Sequence, residues 1–318
     1  MAAPASDTAP LRLVADAGGS NTRLALSRAG QLLDGSAESF ANADWPSLEA
    51  LMESYLAGQG APSLEEMVVA VAGPVDGDIA RLTNRNWQVE TSALAARFGC
   101  ARVHLLNDLS ALGYAVPALA PSQLSEVRPG SGGAAQPRLA QSLVAGIGTG
   151  FNVSPVLATN GRVVCPAAEA GHPGLPLSIA EALRTDGLDP TGFPTVETLF
   201  SGRGFTAFCQ QRTGEAELEG SAAIAAYGTE GREGVTAAVE RYSTLIGLLL
   251  RDLSLYYMCA AGIYMAGSVA RAVLSTAPGP CVTVLETPAR IGKTAETPVW
   301  TIEDDRAALL GCAGFAFG

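Results

Sequence analysis

Apolar residues along this chain fall into short runs punctuated by glycine, proline and small polar residues. The stretch "LVADAGGSNTRLALS", Leu13 to Ser27, shows the pattern at its plainest. It predicts two strands, 11–16 and 22–27, around a polar, glycine-rich turn. A helix follows over 46–57, with proline at its start. "MVVAVA", 67–72, is a continuous apolar run ended by Gly73-Pro74 and reads as a buried strand. Periodicity then gives a helix over 91–98, a strand over 102–106 and a helix over 108–116. Strands and helices mixed in this way indicate an α/β domain.

A polar stretch rich in proline, glycine and serine spans 121–138 and reads as a linker or a surface hairpin. After it, "SLVAGIGTGFNVSPVLAT" repeats the opening design: an apolar strand enters a glycine and threonine turn, and another leaves it. The copies lie about 130 residues apart, counted from Asp16 to Gly146, and imply two related domains with one such turn each. Further on, 235–258 suits one long helix, "GIYMAG" a strand and turn, and "DDRAALLGCAGFAF" a final helix. Asp304 or Asp305 stands near the N-terminus of that last helix, where a carboxylate is favoured. The uncharged run 253–270 is near the lower length for a membrane span. Gly262 and Gly267 interrupt it, so it reads as a helix end followed by a buried strand.

Composition narrows the classes. The 318 residues are 48% hydrophobic and 16% charged, enough for a sizeable core. A net charge of −11 disfavours nucleic acid and anionic membrane as partners. The six cysteines are scattered and the histidines number two, so neither a zinc motif nor a multi-histidine site is expected. The thiols read as buried and reduced. The first residues carry no secretory signature, and a cytoplasmic protein is expected.

The turn chemistry narrows them further. The small polar residues after Asp16 exceed what a minimal hairpin needs. Backbone N–H groups of such a turn can converge on a phosphate, with Ser20 and Thr22 hydroxyls as further donors. Asp16, at the strand end, suits a hydrated Mg²⁺ held through water. "GIGTG", Gly146 to Gly150, is not a dinucleotide fingerprint: Phe151 stands where a third glycine is required, and a strand containing Pro155 follows instead of a helix. "IGKT", Ile291 to Thr294, lacks the first glycine of a phosphate loop, so Lys293 reads as surface charge. Two glycine turns from two related domains, facing each other, would hold a nucleotide triphosphate.

"VHLLNDLSALGYAV" supplies the best catalytic candidate. Asn107-Asp108 sits between a strand and an apolar helix. One member of the pair can cap that helix, a role worth ~1 kcal/mol, and strand-end loops are also where sites are built.

"DAGGSNTRLAL", "AVAGPVDGD", "LTNRNW", "LLNDLSALGYAV", "GIGTGF", "EAGH", "ETLFSGRG" and "AGSVAR" occur in this order. Together they resemble the bacterial glucokinases of the hexokinase, actin and heat-shock ATPase superfamily, over nearly the whole chain. The resemblance implies two ribonuclease H-like α/β domains of the actin-like ATPase fold, with an interdomain cleft. It implies ATP- and Mg²⁺-dependent phosphorylation of D-glucose on its 6-hydroxyl, giving glucose 6-phosphate. Asp108 matches the catalytic base and a sugar ligand, and Asn107, Glu169, His172 and Glu197 match sugar ligands. Ala15, Asp16, Ala17, Gly18, Gly19 and Ser20 match the first phosphate loop, and Gly148, Thr149 and Gly150 the second. Gly267 and Ser268 match the loop near the adenosine. A homodimer is implied as well. Asn84 and Trp87 of "LTNRNW" are candidates for lining the cleft, although packing explains Trp87 equally well.

Four departures from the family pattern stand out, one being "PGLPLS" after His172 in place of the usual acidic and aromatic continuation. Ser20 replaces a frequent threonine. Asn152 and Ala170 replace usual glycines: asparagine tolerates positive φ, while Ala170 beside Glu169 is expected to shift the sugar loop. The expected domains are 1–109 with 303–318 returning to it, and 110–302. Rival readings are a kinase for another hexose or an amino sugar, a non-catalytic sugar-binding regulator, and an actin-like ATPase without sugar ligands.

Overall fold

The computed structural model describes residues 9–83, 85–130, 140–159, 161–287 and 296–317. Asn84, the "IGKT" segment with Lys293, the first eight residues and the 131–138 part of the polar stretch lie outside the described residues. The chain divides into two compact units, Met1–Leu119 with Asp304–Gly318, and Ala120–Glu303.

In the first unit, β1 (Arg12–Ala17) and β2 (Asn21–Arg28) form the expected antiparallel pair. Short strands β3 (Gln31–Leu32) and β4 (Glu38–Ala41) extend it beside β2. Helix α1 (Leu48–Gly58) then leads to β5 (Glu66–Val71), which is buried along its whole length and runs parallel to β1. Ser47 caps α1 by accepting from Ala50 N at 3.2 Å, so Pro46 lies before the cap and not inside the first turn as expected. A small antiparallel sheet follows, made of β6 (Val75–Asp76), β7 (Ile79–Arg81) and β8 (Gln88–Glu90). Helix α2 (Thr91–Phe98) ends at Gly99 in the left-handed conformation. Strand β9 (Arg102–Asn107) pairs parallel with β5, and α3 (Asp108–Ala115) starts directly from it. The C-terminal helix, Ala307–Gly314, packs on α3 and on the back of β1 through Ala111, Ala308, Leu309 and Cys312.

In the second unit, the 121–138 stretch is not a linker over its described part. Leu124–Arg128 forms β10, because antiparallel pairing with a later strand satisfies its backbone. Strands β11 (Ala140–Ile147) and β12 (Phe151–Thr159) are the second expected antiparallel pair. Pro155 is tolerated in β12 because β13 (Arg162–Val164) pairs only with Leu157–Thr159, which leaves the Pro155 position at an edge. Helices α4 (Leu177–Thr185), α5 (Val196–Leu199), α6 (Gly202–Thr213), α7 (Gly220–Ala225) and α8 (Glu233–Tyr257) come next. α8 ends where Met258 turns left-handed at φ 46°. Strand β14 (Gly262–Ala266) runs parallel to β11, and α9 (Ser268–Thr276) and α10 (Pro278–Glu286) precede β15 (Val299–Ile302), parallel to β14. The uncharged 253–270 run is thus a helix end and a sheet strand; among the described residues no helix is long and apolar enough to cross a membrane. The core centres on Tyr242 of α8, whose ring lies 4.7 Å from Phe205 and 5.5 Å from Phe208.

The two units therefore repeat one plan. Each has an antiparallel hairpin, a strand parallel to the hairpin's first strand, and a second parallel strand beyond it.

Candidate active site

In the first unit the hairpin turn lies between Ala17 and Asn21. Gly18 donates its N–H to Asn21 O at 3.0 Å, closing the turn. The turn is held from beneath by Asn42, a residue the sequence did not single out. Its buried side chain donates to Gly18 O at 2.8 Å and accepts from Thr22 Oγ1 at 2.8 Å. Thr22, expected as a phosphate donor, is fully buried and spends its hydroxyl on Asn42. Ser20 is exposed at the tip.

Asp16 is the last residue but one of β1, and Arg23 reaches across the hairpin to its Oδ2 at 3.3 Å. Burial pushes the Asp16 carboxyl up to about 6, Arg23 opposes the shift, and the charge of Asp108 adds to it. Arg23 also approaches Asp305, at 3.7 Å, where the chain enters the C-terminal helix.

Asn107 and Asp108 stand where β9 passes into α3. Asn107 is the helix cap: its Oδ1 accepts from Leu109 N at 3.1 Å. Its Nδ2 donates to Gly73 O at 3.2 Å, tying β9 to the loop after β5. A side chain at Gly73 would collide with Arg81 O, which explains the glycine. Asp108 accepts from Leu109 N at 2.9 Å, and desolvation still drives its pKa upward. Leu109 N thus serves both side chains, with Asn107 standing at the cap position and Asp108 at the first helical position. Trp87 sits against the first unit's core with its Nε1 donating to Pro46 O at 3.2 Å, so packing accounts for it.

In the second unit the sequence-selected carboxylates and histidine converge. Glu169 Oε1 accepts from Gly171 N at 2.7 Å and His172 N at 3.3 Å, with His172 Nδ1 at 3.1 Å. Desolvation works against the charge of Glu169, but these hydrogen bonds outweigh it and hold its carboxyl below the usual range. The hydrogen bond that His172 donates to Glu169, and the charge of that carboxylate, raise the pKa of His172. Glu197 lies on α5, whose start is capped by Thr195. Glu197 N donates to Gly171 O at 2.8 Å, and Val196 N to Pro173 O at 3.0 Å, so α5 and the 169–173 loop are stitched together. Tyr242 Oη donates to Leu199 O at 2.9 Å and anchors α5 to the core.

The second glycine turn borders this cluster. Gly148 N donates to Gly150 O at 2.9 Å, the counterpart of the Gly18 bond. Gly148 approaches Gly267 and Ser268 N closely, at the start of α9. Gly267 has φ 90°, and a side chain there would strike Ile147 O. Thr149 is exposed between the glycines. Asn152 is not left-handed: among described non-glycine residues only Ala29, Ala61 and Met258 have positive φ. It is an ordinary strand residue paired with Gly146, and its amide accepts from Ala170 N at 2.9 Å.

Among the described residues no three His, Cys, Asp or Glu side chains gather as a metal cage. All six cysteines are free, and Cys165 alone of them is not fully buried.

Two units that each carry a glycine-turned hairpin backed by parallel strands have the plan of the actin-like ATPase fold. A glucokinase from an Antarctic psychrotroph matches with a TM-score of 0.81 at 24% identity, covering 96% of this chain and 98% of that one. A ROK family glucokinase from Streptomyces griseus, solved with glucose and AMPPNP, matches at 0.62 and 18% identity, covering 95% and 98%. The glucokinase family profile fits residues 13–317. The glucokinase of Pseudomonas aeruginosa (strain UCBPP-PA14) is 31% identical over 322 residues, 96% of this chain and 94% of the relative. The chain belongs to the glucokinase family, a family of sugar-phosphorylating transferases.

Proposed function

We propose that this protein transfers the γ-phosphoryl group of ATP to the 6-hydroxyl of D-glucose, with Asp108 as general base. The observation that carries the reading is the Asp108 carboxyl at the junction of β9 and α3. It is partly buried, and desolvation raises its pKa against the hydrogen bond it accepts from Leu109 N. A base tuned upward from the ordinary carboxylate value is better matched to neutral pH, and such help is worth ~10²–10⁴-fold in rate. The Streptomyces relative was solved with glucose and AMPPNP, which favours the same ligand pair here.

In this reading Glu169, His172 and Glu197 receive and donate to the sugar hydroxyls, with Asn107 as a further ligand. The turns 15–20 and 148–150, with Gly267 and Ser268, take the phosphates and the adenosine side. Backbone N–H groups there meet charge without reorganisation. Asp16 fits a hydrated Mg²⁺ that arrives on the nucleotide, since such an ion keeps several waters and needs one or two carboxylates. When bound, it neutralises charge on the phosphates. The cytoplasm and a homodimer complete the proposal, the latter checked by light scattering.

A coupled assay with ATP·Mg²⁺ against glucose, mannose, fructose and N-acetylglucosamine tests it. Glucose should give the highest kcat/KM. A clear preference for another sugar overturns the substrate, and ATP turnover independent of any sugar overturns the kinase reading.

A further inference from the structure

We infer that Asn152 is a positioning residue for Glu169: its amide sets the direction in which that carboxylate meets a sugar hydroxyl. The inference rests on the functional reading above, because it takes Glu169 as a sugar ligand.

Asn152 is the second residue of β12, just past the GIGTG turn. Its Nδ2 donates to Glu169 Oε2 at 3.1 Å and to Ala168 O at 3.2 Å. Its Oδ1 accepts from Ala170 N at 2.9 Å and from Val153 N at 2.8 Å. The amide orientation follows from these partners, since the reverse would set an NH₂ group against two N–H donors. One side chain therefore grips three consecutive residues of the sugar loop.

The two oxygens of Glu169 are unequal. Oε1 already receives Gly171 N, His172 N and the His172 ring. A carboxylate offers about four lone-pair sites in all, so Oε2 is the oxygen with room for another donor. The side chain is 53% exposed and open to a ligand. Asn152 occupies one side of Oε2 and leaves the other as the place where a hydroxyl can donate. The loop backbone is held independently, through Glu197 N to Gly171 O and Val196 N to Pro173 O. Losing the Asn152 donor should therefore turn the carboxylate without releasing the loop.

Steady-state kinetics of Asn152→Ala, Asn152→Asp and Glu169→Gln with glucose and its mono-deoxy analogues test this. Asn152→Asp is the decisive variant: it keeps an acceptor for Ala170 N and Val153 N but sets an oxygen, not a donor, against Oε2. Both Asn152 variants should raise the glucose KM about tenfold or more with kcat within about twofold. They should also weaken discrimination against the one deoxy analogue whose disadvantage Glu169→Gln abolishes. If Asn152→Asp keeps the wild-type KM while Glu169→Gln raises it, the positioning role is overturned and the residue merely ties the loop. If Glu169→Gln itself leaves KM unchanged, the sugar-ligand role of Glu169 fails, and this inference with it.

Discussion

Glu197 Oε2 accepts the backbone N–H of Phe151 at 2.9 Å, joining α5 to the first residue of β12. A candidate sugar acceptor and the second glycine turn are thereby one piece of structure. Movement of the turn is felt by the carboxylate, and the reverse holds.

Gly150→Ala exploits that bond. A methyl group at Gly150 would overlap the Glu197 carboxylate, and the far end of a flexible side chain is what must give. The protein should fold, since Gly150 is not among the positive-φ glycines. The glucose KM should rise about tenfold or more, the cost of one displaced charged hydrogen bond. Kinetics beside a thermal melt check it; unchanged KM would mean Glu197 does not face the sugar.

Asp108→Asn should lower kcat by ~10²–10⁴-fold, the usual worth of a general base. Nucleotide binding, followed by calorimetry, should survive, because Asn107 still caps α3 and an asparagine at 108 keeps an amide oxygen for Leu109 N. Near-normal turnover would remove Asp108 from the mechanism.

The Asp16 carboxyl titrates at about 6 in the folded chain against an ordinary 3.8. A folded-state pKa raised in this way means a contribution to stability that is complete below pH 3.8 and lost as pH climbs to about 6. The loss approaches about 3 kcal/mol. Asp16→Asn has no such titration. Its stability relative to wild type should therefore increase between pH 4 and pH 6 and stay level above. Urea titrations across that range decide it, and parallel curves would reject the shift.

Glu66 is 3% exposed and pairs with Arg12 Nη2 at 2.5 Å and with Arg102. Arg12 Nη1 in turn donates to Cys312 O at 3.0 Å, Ala313 O at 2.7 Å and Phe315 O at 2.8 Å, closing the end of the C-terminal helix. Glu66→Ala takes away the carboxylate of the partly buried Arg12 but leaves its three carbonyl bonds, and should cost about 1–3 kcal/mol. Denaturant melts measure that loss, and limited proteolysis should show earlier cleavage near Phe315.

Much of this was readable from residue order. Strand, turn and helix alternate so clearly in 11–28 and 91–115 that periodicity places them within a residue or two. The repeated hairpin announced the repeated topology. Gathering Glu169, His172 and Glu197 needed the family resemblance, because nothing in spacing alone brings a loop and a short helix together. Asn42 and Arg23 left no signal: their partners lie across a turn, and a lone polar residue in a strand or loop has no period to betray it. The strand Leu124–Arg128 was hidden by its polar composition, which suits a sheet edge as well as a loop. Asn152 was misjudged as a tolerance of backbone shape when its side chain is what matters.

The helix Ala307–Gly314 lies against Ala111 and Tyr114 of α3, although the whole of 120–303 separates them along the chain. On the ribosome, the intervening unit is therefore finished first, while the unit that begins the chain waits for its last piece. A nascent protein stalled before residue 307 would carry one complete lobe and one with its apolar back bare, the form on which chaperones act.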